Sequence, residues 1–143
     1  MRRATPRIRD LAQRLIAGEA RVVNPSADTK TPRAFRVCER LRPHLANLMG
    51  THGFEVLLSR SLVLARAKVD WLHAVALTGD TLGVSEEVGK KVAPEVMAEG
   101  GVALVSELLA LLAAFIGERL MLQIVREIWP NLSLNDLDSG EQS

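Results

Sequence analysis

At 143 residues, 48% hydrophobic and 24% charged, the chain has the composition of an ordinary globular protein and the length of one domain, enough to bury roughly two-thirds of its unfolded surface. Its single cysteine, Cys38, excludes an intrachain disulfide, and three Phe, two Trp and no Tyr among abundant Leu, Ala and Val disfavour a strand-rich core. The net charge of +1 hides a division: residues 1–42 carry eleven Lys and Arg against four Asp and Glu, whereas residues 43–143 carry seven against thirteen. Halves of opposite sign can attract each other within a chain or between chains, and the basic half could meet nucleic acid or an acidic partner.

The first fifteen residues, MRRATPRIRDLAQRL, lack the continuous apolar run and small-residue cleavage site of a secretory signal. Asp10 and the shortage of Ser argue against an organelle transit peptide. With a lone thiol, this points to a reducing, cytoplasmic setting. Thr5-Pro6 reads as N-cap and first helical residue. Ile8, Leu11, Ala12, Leu15 and Ile16 then share one face, and Gly18 is the expected stop. Residues 21–31, RVVNPSADTKT, are a turn-rich linker. Thr31-Pro32 repeats the start signal, and TPRAFRVCERL echoes TPRIRDLAQRL, as two basic helices opened by the same chemistry would. Phe35, Cys38, Leu41, Leu45 and Leu48 form a stripe that Pro43 should kink or break near Arg42.

Gly50 closes this element and Thr51 opens the next. Phe54, Leu58, Leu62, Ala65, Val69 and Leu72 alternate steps of four and three, the mark of a helix with one core-facing stripe. Residues 73–84, HAVALTGDTLGV, alternate briefly around Thr78-Gly79-Asp80 and predict a loop or small hairpin. A last helical block begins near Ser85 and passes Pro94 and Gly100-Gly101, either of which can break it. From Val102 the pattern predicts one helix to Trp129, stopped by Pro130. At about 1.5 Å per residue it would be about 42 Å long, against a radius of gyration of about 14–15 Å for a compact domain of this size. Such a helix is the spine of the domain or overhangs it. The expected fold is all-α: a bundle of four to five helices with a long C-terminal helix. Residues 1–30 read as a basic helix and linker, and residues 31–143 as the bundle domain.

The stretch VALVSELLALLAAFIG, residues 102–117, raises the question of a membrane span, which needs about 20 apolar residues. Its uninterrupted part runs only from Leu108 to Gly117, and each charged side chain near a bilayer centre costs about 3 kcal/mol. A span is therefore the weaker reading. Around the helix, Glu107, Glu118, Arg119, Gln123, Arg126 and Glu127 are thinly spread over a little more than half the circumference. Leu108, Leu111, Leu112, Phe115 and Ile116 crowd the same half, which predicts burial on several sides. None of these charges has an opposite partner one turn away, so each should reach a solvated edge or meet another helix; Arg40, Arg60 and Arg66 are the expected partners of Glu107 and Glu118.

Chemistry is sparsely encoded. Asp70 and His73 in DWLH are one turn apart, a spacing that suits a helix-end hydrogen bond better than a metal or acid–base pair standing alone. No HExxH, di-iron Glu-x-x-His pair, Cys/His cluster or GxxxxGK[ST] loop is present. Glu107 and Glu118 would stand about 16 Å apart along one helix, too far for a carboxylate pair. Cys38 lies on an apolar stripe and reads as a buried small hydrophobe. No catalytic residue, cofactor or metal is expected. The pattern points instead to a non-enzymatic interaction module that oligomerises or binds a protein partner through Leu108, Leu111, Leu112, Phe115, Ile116, Glu118, Arg119, Leu122 and Trp129. The alternative is a nucleic-acid-binding accessory protein using Arg2, Arg3, Arg7, Arg9, Arg14, Arg33, Arg36 and Arg40, although no Tyr or Trp lies among them for stacking and no helix-turn-helix spacing joins the two basic helices. A membrane-active helical protein is the third reading.

Overall fold

Four α-helices, one 3-10 turn and a two-stranded ribbon make up the described part of the chain. A computed structural model describes residues 6–22, 33–78, 81–84, 87 and 91–130. Helix α1 spans Pro6–Val22 and α2 spans Arg33–Arg66, with non-helical backbone at Gly50 (φ 84°, ψ 156°). A 3-10 turn, Asp70–Ala74, leads into strands β1, Ala76–Thr78, and β2, Thr81–Gly83. Helices α3, Pro94–Ile116, and α4, Glu118–Ile128, follow. The all-α bundle is as the composition implies.

The start of α1 at Pro6 places proline where its missing N–H costs nothing. Gly18 does not stop the helix, which runs to Val22. A glycine ends a helix cleanly when it takes positive φ, and only Gly50 and Gly117 do so here among the described residues. After Gly18 the sequence Glu-Ala-Arg is helix-forming, so the local cost of about 1 kcal/mol is absorbed. Likewise α2 passes Pro43 in helical conformation and leaves it only at Gly50. Pro43 is exposed, so water can reach the carbonyl that its ring leaves unbonded. The expected hairpin forms, with Ala76 paired to Gly83, Leu77 to Leu82 and Thr78 to Thr81. The expected cap at Ser85 lies outside the described residues.

The predicted C-terminal helix is not continuous. It begins at Pro94, stays helical through Gly100-Gly101, and breaks at Gly117 (φ 93°, ψ 147°), where α4 starts without a connecting loop. The glycine pair stays helical because it is needed for close approach. A Cβ on Gly100 would fall 2.4 Å from the Trp71 indole nitrogen, and one on Gly101 would fall 2.9 Å from the Ala34 methyl. The Trp71 indole N–H donates to the Val96 carbonyl at 3.0 Å, seating the ring on α3 one turn before Gly100.

Helix α3 touches α1, α2 and α4 and is the spine of the fold. Residues 104–110 are buried consecutively, as a helix enclosed on all sides must be. Ile8, Leu11 and Leu15 of α1 belong to the same core as Phe54 and Leu58 of α2 and Leu108 of α3. The first helix is therefore built into the bundle and does not fold beside it. Helix α3 is long and apolar enough to cross a membrane by length and composition, yet most of its apolar window is covered by the fold.

Candidate functional site

Burial divides the residues of the expected partner surface into two groups. Leu108, Leu112, Leu122 and Trp129 are buried in the chain's own core. They cannot meet a partner while the fold is intact, because α3 is packed against α1, α2 and α4 and α4 turns its own apolar face inward. Leu111 and Ile116 remain half-buried, Arg119 is exposed, and Phe115 is 70% exposed. Glu118 pairs with Arg7 of α1.

What stays open is a cleft of about 480 Å³ between α2 and the last turns of α3, lined by Met49, Gly53, Val56, Leu57 and Arg60 on one side and Leu111, Ala114 and Phe115 on the other. Its volume is in the range of ligand and anchor-residue pockets. The two glycine junctions frame it: Met49 and Gly53 flank Gly50, and Ala114 and Phe115 lie in the last turn before Gly117. Val56, 54% exposed, and Phe115 are large apolar side chains left in solvent where the cleft opens. Leu111 and Phe115 belong to the set expected from sequence. The α2 side has a weaker signal in the sequence: Val56, Val63 and Leu64 stand apart from the core stripe in the same periodicity.

Glu107, buried on α3, meets the turn that follows α2, and Glu118, which opens α4, meets α1, in both cases through partners other than those expected. Glu107 is only 4% exposed, so the solvated edge is not its environment. Its Oε1 lies 3.5 Å from Nζ of Lys68, which is half-exposed. Its Oε2 and the neighbouring Ser106 hydroxyl are buried with no hydrogen-bond partner among the described residues. Lys68 and Arg7 thus take the roles expected of Arg40, Arg60 and Arg66. Arg66 instead donates to the carbonyls of Leu72 at 3.2 Å and Val75 at 2.8 Å, fastening the 3-10 turn and the entry to β1 onto the end of α2.

Of the basic residues, Arg2 and Arg3 lie outside the described residues, and Arg33 lies in α2. Arg7 pairs with Glu118, and Arg14 pairs with Asp10 at 2.9 Å. Arg9 is exposed, and Arg36 and Arg40 are half-buried. Asp70 and His73 are exposed on the 3-10 turn, and their side chains make no hydrogen bond or ion pair among the described residues. No cluster of three or more His, Cys, Asp or Glu could hold a metal there either. Cys38 is buried, and loss of hydration pushes its thiol from 9.0 up to about 12, partly offset by a backbone hydrogen bond. A thiol held protonated in this way is a poor nucleophile. Compared with protein-family models, with curated protein sequences and with solved structures, the chain matches none.

Proposed function

We propose that this chain is a non-enzymatic helical interaction module, an adaptor, regulator or accessory subunit, that oligomerises or binds a protein partner through the cleft between α2 and α3. The observation that carries the reading is Phe115, a phenyl ring left 70% exposed at the mouth of an apolar cleft in a protein with only three Phe. Exposed apolar groups gathered around a concavity mark interaction surfaces, and aromatic side chains supply much of the energy at such surfaces. The basic residues support the nucleic-acid alternative less well, because Arg7 and Arg14 already face carboxylates of the same chain. Ion pairs of that kind leave fewer cations for phosphate.

The test is light scattering of the purified full chain at micromolar concentration, together with the mass of whatever co-purifies. A stable assembly is expected, with itself or with a second protein, and Phe115→Asp should dissolve it while leaving the far-UV circular dichroism unchanged. A monomer with no companion, whose behaviour is indifferent to Phe115→Asp, would refute the reading.

A further inference from the structure

The cleft continues along α2 as a helical seam, and the residues of that seam narrow the class of partner. In residues 51–66 the apolar side chains occupy two separate arcs. Phe54, Leu58, Leu62 and Ala65 face the core and are buried. At 100° per residue, Gly53, Val56, Leu57, Arg60, Val63 and Leu64 fall within a second arc of about 120° on another side of the helix. Val63 and Leu64 are 57% and 37% exposed. The positions 53, 56, 60 and 63 step by three, four and three, with 57 and 64 beside them, which is the spacing by which one helix receives another. A small ligand would fill the cleft but leave Val63 and Leu64 in water.

Arg60 sits in the middle of this arc and is, among the described residues, the only charged one lining the cleft. It is exposed, and its side chain makes no ion pair or hydrogen bond among the described residues. We propose that the occupant is an amphipathic helix of another protein that carries a carboxylate within its apolar face, placed to pair with Arg60. This rests on the cleft being a protein-interaction surface. A second copy that meets this arc with its own α2 arc does not supply that carboxylate. Between residues 44 and 69 the only acid is Glu55, which lies on the polar side of α2 beside His52. Two such faces would bring their Arg60 side chains together, a like-charge contact across the seam.

The probe is a fluorescent synthetic helix of about three heptads with Leu at its seam positions, made with either Glu or Lys at the central one. Each is titrated against the full chain by anisotropy at low ionic strength. The Glu peptide should bind about tenfold tighter than the Lys peptide, and Arg60→Glu should reverse the preference. Phe115→Asp should weaken both by about tenfold or more. Equal binding of the two peptides, or indifference to Arg60→Glu, overturns the acidic-helix proposal and leaves the cleft as a surface read by apolar contact alone. A wild-type dimer that Val56→Asp dissociates assigns the face to a second copy and overturns the proposal in favour of oligomerisation. Failure of both peptides, with a monomeric chain, overturns this proposal and the interaction reading together.

Discussion

Single residues in this protein are placed by distances of a few tenths of an ångström. Gly100 is the clearest case, since its missing Cβ is the space that the Trp71 ring occupies. In an isolated helix Gly→Ala is stabilising by about 1 kcal/mol. Here the added methyl meets a ring fixed by its bond to the Val96 carbonyl, and displacing it outweighs the gain. Gly100→Ala should lower stability by about 1–3 kcal/mol and shift the Trp71 fluorescence emission. A denaturant series read by fluorescence checks both. Cys38 makes a pH-dependent contribution of known sign. Its thiol stays protonated to about pH 12 in the fold but only to about 9.0 when unfolded. Between those values the unfolded chain binds fewer protons, so stability falls as pH rises through the window and is fully retained below it. The decline in denaturation midpoint from pH 9 upward should be steeper in the wild type than in Cys38→Ala. Parallel slopes would show that the thiol is not desolvated.

At the scale of elements, two glycines do what no other residue can. Gly50 and Gly117 share one region of backbone space, near φ 90° and ψ 150°, that is essentially closed to side chains. Each lets one helix end and the next begin without a loop. At Gly117 the junction turns a run that would exceed the domain into two helices, and the amphipathic α4 then buries Met121, Leu122, Ile124 and Val125. Glu118 in its first turn and Arg126 in its last complement the helix dipole. Gly117→Ala should destabilise the chain by about 1–3 kcal/mol and expose the inner face of α4. Faster amide exchange confined to residues 118–128 would confirm it. Unchanged exchange would mean that the backbone tolerates a side chain there.

For the whole molecule the decisive feature is that α3 is enclosed through its middle, residues 104–110, and opens to solvent at its two ends. This separates two leucine-rich positions that look alike in the sequence. Leu108→Ala should cost about 2–5 kcal/mol, as core truncations do. Phe115→Asp should change stability by no more than about 0.5 kcal/mol and act only on association. Thermal denaturation of the two variants beside the wild type distinguishes them. If Phe115→Asp proved as damaging as Leu108→Ala, the cleft would be part of the core and not a surface.

The sequence by itself determined the helical class, the proline start of α1, the hairpin that pairs residues 76–78 with 81–83, and the core stripes from Ile8 to Leu15 and from Phe54 to Ala65. All of these follow from local chemistry: proline geometry, turn residues, and the period at which apolar side chains recur. Only the tertiary structure decided which apolar faces are covered. Periodicity reports that a face is apolar, but coverage depends on how many helices lie nearby, and that is a non-local quantity. Hence Leu108, Leu112, Leu122 and Trp129, expected at an interface, lie in the core, while Val56, Arg60 and Val63 are left in solvent. The glycines show the same limit in the backbone. Gly100 stays helical against the Trp71 ring and Gly117 breaks the chain, and the local sequence does not tell the glycine that serves as room from the one that serves as a turn.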